Sequence, residues 1–342
     1  MNPNIWGIFN NNFDNDRIVT QVFDEKGKPK NIGNLIAKPG GEGSVYVLND
    51  KHGILVKIYH KEKLNKNRKE YQGKIDTMIS IKREFENIDV CWPLLSVYDS
   101  SGQWIGYAMK QGKGSPMRYL AHGVAYKKHF PNLDRVILLQ FLLSFIKNIE
   151  LLHSKNILIG DYNLLNFLCD NTNNKVTMID CDSYQVKIKD KFFPCPVGSP
   201  DLTPIEHHNK DFKFLKRTLA SERFSLAIIL FECLMLGRHP YDIVGGDDPL
   251  TNLRNAHFPY GRGNKGIPKG PWYNIWSHMP YSIKSLFIQT FKEGVNNPDK
   301  RTDVSTWYQE ISRYLSEIKD KGWHNKEINP GQPKSKEYRG NR

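Results

Sequence analysis

At 342 residues and 39% hydrophobic, the chain carries enough apolar material for a full-sized core, at the upper edge of one large domain or two modest lobes. Its 49 basic against 36 acidic residues leave a net charge of +13, a field that attracts anions without naming one. No run is read as the ~20 apolar residues of a membrane span, the opening MNPNIWGIFNNNFDND is too polar for a signal peptide, and nucleic acid and membrane are set aside as partners.

The five cysteines, Cys91, Cys169, Cys181, Cys195 and Cys233, are scattered and lack CxxC spacing, which fits a reducing, cytoplasmic setting with Cys181 and Cys195 as candidate surface thiols. Much of the positive charge falls in KEKLNKNRKEYQGK (61–74) and in the tail 321–342, where a solvated helix face and a loose terminus are the plain readings.

The N-terminal third reads as β-structure. DRIVTQVFDEKGKPKNI predicts a hairpin around Lys26-Gly27-Lys28, and GNLIAKPGGEGSVYVLND with GILVKIYH predicts further strands joined by a turn. Residues 61–83, with Leu64, Tyr71, Ile75 and Met78 near helical spacing, predict a helix; WPLLSVYDSSGQWIGYAMKQ predicts two strands around Ser100-Ser101-Gly102. A polar, Gly-rich connector, KQGKGSPM (110–117), marks the expected boundary. Beyond it NLDRVILLQFLLSFIKNIELLHSKN predicts a buried helix with Asn132 as its N-cap. The expected organisation is α+β: a small antiparallel-sheet lobe over 1–112 with an extra N-terminal hairpin, a helical lobe over 113–320, and a basic tail over 321–342.

Polar side chains in otherwise apolar stretches are the candidate site residues. Gly40, Gly41 and Gly43 lie between two strands, where backbone without Cβ can approach a phosphate chain, although a plain hairpin turn needs the same residues. Lys57, set in ILVKIY, needs an anionic partner if buried and none if it faces water. NILIGD and KVTMID read as strands ending on Asp161 and Asp180, with Asn166 five residues after the first aspartate. Each of these polar residues could merely cap a turn or pair with a lysine; their occurrence in this order favours a site.

Together these features resemble the protein-kinase superfamily over about residues 33–316, and this implies a two-lobed fold. On that resemblance GGEGSVY is the nucleotide-covering loop, with Lys38 standing where a glycine is usual and Gly40, Gly41, Gly43 and Val45 around the nucleotide. Lys57 is the phosphate anchor, paired with Glu70 on the following helix, where Glu62 and Asp76 are alternatives. Met109, Lys110, Gly112 and Leu168 flank the adenine, Met109 being equally readable as a core residue. In GDYNLLNFL, Asp161 is the base toward the substrate hydroxyl and Asn166 a metal ligand; in IDCDSYQ, Asp180 is the principal metal ligand and Asp182 stands at a glycine position. VGSPDLTPIEH resembles the end of an activation segment, ERFSLAIILFECLMLGRHPY the buried helix after it, with Glu222 where aspartate is usual, and NNPDKRTDVSTWYQEI the closing helix, offering Arg301 as partner of Glu206. The strings IDCDSYQ, CPVGSPDLTP and DKRTDVSTW resemble a bacterial kinase-like group found beside tellurite-resistance and helix-hairpin-helix proteins.

The implied activity is Mg-ATP-dependent transfer to a protein hydroxyl by a Ser/Thr-type kinase. ATP and Mg²⁺, with Mn²⁺ as a substitute, are the implied cofactors, and an unidentified protein substrate and a regulatory protein the implied partners. Two other classes stay open: a nucleotide-binding pseudokinase or scaffold, and a small-molecule kinase of the aminoglycoside type. Gly160 before the catalytic aspartate, where arginine is common, predicts a pocket without its cation and no control by activation-segment phosphorylation. Asn163, at a position that usually holds lysine, removes a charge from an electrostatic site and predicts slow transfer.

Overall fold

The structure, a computed structural model, describes residues 20–36, 39–261, 267 and 271–334. It is α+β and divides into two compact units, 1–73 with 94–110, and 74–93 with 111–342. Lys38, the start of the predicted first hairpin and the last eight residues of the tail lie outside the described residues.

In the first unit, strands β1 (Gln21–Phe23), β2 (Pro29–Leu35), β3 (Gly43–Leu48) and β4 (Ile54–Tyr59) are followed by helix α1 (Lys61–Ser80), then β5 (Pro93–Tyr98) and β6 (Trp104–Lys110). The expected sheet of this lobe is a closed barrel of order β1-β2-β3-β4-β6-β5, because the N-terminal hairpin returns to pair Phe23 with Tyr98 and so removes the free edge. At the first turn the Asp24 carboxylate accepts from the Lys26 and Lys28 amides, and Gly27 takes φ +73°. Inside the barrel Val22, Ile32, Leu48, Ile54, Val56, Val97 and Ala108 form the core, with Ile58 packed against it. Alternation along β4 therefore puts Ile54, Val56 and Ile58 inward and Leu55, Lys57 and Tyr59 on the outer face. Helix α1 begins in this unit, where Tyr71 stacks on Tyr59 at 4.9 Å.

The second unit takes up α1 from Lys74 and continues through β7 (Ser115–Pro116), α2 (Met117–Leu120), α3 (Ala125–His129), α4 (Arg135–Ser154), β8 (Ile157–Leu158), β9 (Phe167–Asp170), β10 (Lys175–Met178), β11 (Gln185–Ile188) and β12 (Lys191–Phe193). Helices α5 (Leu219–Leu234), α6 (Pro249–Arg254), α7 (Pro271–His278), α8 (Tyr281–Ile288) and α9 (Val304–Lys319) complete it. Helix α4 is capped by Asp134, whose carboxylate accepts from the Ile137 amide, rather than by Asn132. Contrary to the sequence expectation, α4 is by length and composition apolar enough to cross a membrane; in the structure Leu139, Phe141, Leu142, Phe145, Ile146, Ile149 and Leu152 are fully buried in the core. Helix α5 is buried nearly all round, and its Phe231 ring lies 5.1 Å from both Tyr260 and Phe287.

The tail does not come loose at 321. The Arg135 guanidinium donates to the carbonyls of Glu327 and Ile328, the Lys326 carbonyl accepts from the Arg135 amide, and His324 reaches the Glu317 carboxylate at 2.8 Å, so the chain is held through this stretch. All five cysteines are buried free thiols, Cys181 and Cys195 among them, so neither is the surface thiol the sequence suggested.

Candidate active site

The predicted strands NILIGD and KVTMID are shorter than read: β8 ends at Leu158 and β10 at Met178, leaving Asp161 and Asp180 on the turns just beyond. The two turns are tied together, the Ile179 amide donating to the Asn166 carbonyl at 2.9 Å, which sets Asp180 next to Asn166. The turn holding Asn166 is itself fixed by Asn163, whose side chain accepts from the Leu165 amide at 3.0 Å. Asn163 thus caps a turn where a lysine was the expected residue type. Asp180 adopts φ +58°, ψ +37°, a left-handed conformation that costs most L-residues about 1 kcal/mol or more and that Asp and Asn tolerate best. Its carbonyl accepts from Ser183 Oγ at 2.8 Å.

Asp161 is half-buried, and one carboxylate oxygen is sealed from water with no hydrogen-bond partner. Burial pushes its carboxyl above the ordinary range; Arg217 pulls it down, and Asp180 and Asp201 add like charge. Asp161, Asn166 and Asp180 therefore share one locality of the second unit. Leu168 and Gly112 border it: a Cβ on Gly112 would lie 3.0 Å from both Leu168 Cδ1 and Ile179 Cγ2.

The loop is held from below by Glu222 of α5. Its carboxylate, fully enclosed, accepts from the Ile159 amide (2.9 Å), the Gly160 amide (3.0 Å) and the Tyr162 hydroxyl (2.9 Å), and pairs with His153 Nε2 at 3.3 Å. Burial alone would raise the Glu222 carboxyl; His153 and the two amides more than offset it and hold it low. The sequence reading marked Glu222 as an aspartate replacement, and its longer side chain is what reaches four groups at once.

The pocket expected to lack a cation does not lack one. Gly160 takes φ +71°, and a Cβ there would collide with the Arg217 side chain, lying 2.8 Å from Cδ and 2.7 Å from Cys195 Sγ. Arg217, which is 3% exposed, occupies the space a side chain at 160 would fill. It is locked in place: its amide donates to Gln185 Oε1 at 2.8 Å, its carbonyl accepts from Gln185 Nε2 at 3.1 Å, one terminal nitrogen donates to the Val197 carbonyl, and the guanidinium lies 5.0 Å from the Phe212 ring centre. Sequence reasoning missed Arg217 because its neighbours 57 positions upstream are set only by the tertiary fold; the sole local hint was a glycine where a long side chain is usual.

The Glu206–Arg301 pairing expected from the resemblance is present. Arg301, whose side chain is entirely buried, donates to both Glu206 oxygens at 2.6 and 2.9 Å, to the Gly294, Ala220 and Val295 carbonyls at 2.7, 3.1 and 3.4 Å, and lies over Phe224 at 4.9 Å.

In the first unit, cross-strand pairing sets Val45 opposite Lys57, Lys57 opposite Tyr107, and Leu55 opposite Met109, so that Val45, Lys57 and Met109 share the barrel's outer face. Lys57 is 6% exposed and lies 5.5 Å from the Tyr59 ring centre. The Gly40 amide donates to the Gly43 carbonyl at 3.0 Å, closing the glycine turn; Gly40 and Gly41 are exposed, while a Cβ on Gly43 would strike the Ile58 carbonyl, so Gly43 is demanded by strand packing. Lys110 ends β6 exposed. Glu70 is not the partner of Lys57: it is exposed and makes no ion pair among the described residues. Non-helical dihedrals at Asn67 (φ −137°, ψ 20°) kink α1 and reset its phase, turning Lys74, Ile75, Thr77 and Met78 inward.

No family model matches the chain. Two curated proteins named Protein kinase YegI are similar to it. That of Escherichia coli strain K12 is 26% identical over 283 residues, covering 80% of this chain and 43% of the relative. That of Escherichia coli O157:H7 is 26% identical over 264 residues, covering 74% and 40%. The chain thus spans less than half the length of the curated relatives it matches. It is a distant relative of proteins that bear the name of kinases.

Proposed function

We propose that the chain is a Mg²⁺- and ATP-dependent protein kinase of Ser/Thr type, the barrel unit serving as its N-lobe and the helical unit as its C-lobe. The reading rests above all on the loop 159–166, which Glu222 clamps and Asn166 ties to Ile179, so that a half-buried carboxylate with an unpartnered oxygen, a carboxamide and a second carboxylate lie together. Among the described residues no three His, Cys, Asp or Glu side chains gather as a metal site. One carboxylate plus one carboxamide suits a hard cation whose remaining ligands are phosphate oxygens and water, as Mg²⁺ prefers. Asp180 and Asn166 would hold that cation, which when bound neutralises charge on the phosphates. Asp161, whose carboxyl is raised above the ordinary range by burial and so makes a stronger base, orients the acceptor hydroxyl as the carboxylate through its open oxygen and takes up the proton. The resemblance assigns Lys57 to the nucleotide phosphates; its burial on the outer face of β4 supports a role that needs an anion.

The activation-segment anchor Glu206–Arg301 supports a protein substrate over a small molecule, since it braces a long segment. One observation favours slow transfer: Asn163 is committed to capping a turn and supplies no charge toward the phosphates. The deciding experiment incubates the chain with labelled ATP, Mg²⁺ or Mn²⁺ and a protein mixture, then locates phosphate by mass spectrometry. Asp161→Asn and Asp180→Asn should each abolish transfer while keeping the wild-type melt, asparagine being at ease in the left-handed conformation of residue 180. Wild-type-like transfer by either variant, or none by the parent with either metal, overturns the proposal.

A further inference from the structure

Far along the chain from Asp161, helices α7 and α8 and the turn after α8 enclose a cavity of about 590 Å³, within the 300–1,000 Å³ typical of small-ligand pockets. Its walls combine Tyr273, Trp276 and Tyr281 with two ammonium groups, those of Lys284 and Lys292, and among the described residues no acid lines it. Tyr281 and Tyr273 stand 80% and 39% exposed at the rim, while Trp276 is buried beneath them.

Lys284 lies 5.7 Å from the centre of the Trp276 ring and donates to the Ser277 carbonyl at 3.3 Å; it has no carboxylate partner among the described residues. Lys292 makes no hydrogen bond or ion pair among them, and its Nζ would lie 3.2 Å from a Cβ on Gly261, whose φ of +144° keeps that wall open. A half-buried ammonium without a counter-ion, beside a second ammonium, is unfavourable unless something anionic completes the set. Lys334 adds positive charge near it, and burial with that repulsion draws the Lys284 ammonium down to about 8.

We propose that this pocket binds an aromatic anion of metabolite size: a flat ring against Trp276 and the two tyrosines, with its carboxylate or phosphate set between Lys284 and Lys292. Aromatic walls suit a planar apolar body, and paired lysines suit its charge. The site is independent of the phosphotransfer reading and stands or falls separately.

Titration calorimetry of the full chain with benzoate, indole-3-acetate and phenyl phosphate, and with neutral indole-3-acetamide as control, tests it. At least one anion should bind saturably below about 5 mM, and the neutral amide at least tenfold more weakly. Lys284→Met and Lys292→Met should each weaken the anion by about tenfold, and Lys284→Arg should retain it. The groups facing Lys284 are Lys292, Lys334 and the phenols of Tyr273 and Tyr281. Anion binding favours the charged ammonium, so near pH 8 complex formation should take up protons, read from buffers of different ionisation enthalpy, and affinity should fall above that pH. Absence of saturable binding by all three anions, equal binding of the amide, or unchanged affinity in a folded Lys284→Met variant would overturn the site. Should Lys284→Met fail to fold, the comparison of anion with amide on the parent and the Lys292→Met variant decide it.

Discussion

Arg301→Ala offers the sharpest test of the second unit's architecture. In the native chain the guanidinium makes two bonds to Glu206 and one to each of three backbone carbonyls, with no side-chain exposure of its own. Removing one member of a buried ion pair costs about 3–5 kcal/mol. Here the Glu206 side chain is 34% exposed, so water recovers part of its loss and the pair belongs at the lower end. Three carbonyls that lose a donor, each worth about 0.5–1 kcal/mol net, add to the pair's lower-end value of about 3 kcal/mol for a total of about 4.5–6 kcal/mol. At roughly 2–4 °C per kcal/mol for a unit of this size, the melt should fall by about 9–24 °C. Glu206→Gln keeps the side-chain shape and one acceptor oxygen but loses the charge and sets an amide NH2 against an Arg301 donor; because the three carbonyl bonds of Arg301 survive, its melt should fall by less than that of Arg301→Ala. Scanning calorimetry with circular dichroism reads both. A shift for Arg301→Ala no larger than that of Lys57→Ala would refute the reasoning, since it would mean that the five bonds are replaced by water at no net loss.

Glu222→Gln should cost about 2–3 kcal/mol, because an amide cannot accept from two backbone amides, a phenol and a histidine ring at once, and hydrogen exchange at Ile159 and Gly160 should quicken; unchanged protection would count against the clamp. If the phosphotransfer reading holds, Arg217→Met and Gly160→Ala should both lower turnover by about tenfold or more with little change in the apparent affinity for ATP, the second because its Cβ displaces Arg217; equal loss of affinity would argue for a general disruption. Because Arg217 is already committed to Val197 and Phe212, phosphatase treatment should leave turnover within about threefold, and a tenfold loss reversed by rephosphorylation at Ser183, Tyr184, Ser199 or Thr203 would overturn that. Burial draws the His207 ring from 6.5 to about 4, so the folded state binds fewer protons than the unfolded one across that interval and stability must rise with pH through it. His207→Gln should flatten part of this rise in melts taken between pH 4 and 6.5, with His239, His278 and His324, which burial also holds low, contributing to the remainder; an unaltered slope would show His207 to be solvated.

Which parts of this protein could be read without its structure follows from the range of the forces involved. Residue types at short spacing were legible: the Gly27 and Gly102 turns, the strand lysine at 57, the Asp161–Asn166 interval and the aspartate after the next strand all depend on local backbone geometry, which the neighbouring residues largely dictate. Even there, local rules misjudged ends and phases. Asp134 rather than Asn132 caps α4, the strands before Asp161 and Asp180 stop early, and the kink at Asn67 turns Glu70 to water.

Closure of the barrel through Phe23 and Tyr98, the four-way grip of Glu222 on the loop and the anchoring of 326–328 to Arg135 of α4 were decided by tertiary structure. So was the choice of cation beside the loop that carries Asp161. The sequence by itself determined that position 160 would carry no side chain; only the folding of residue 217 back over it determined that a guanidinium would fill the space, because a buried charge takes its partners from whatever the whole fold brings within a few ångströms.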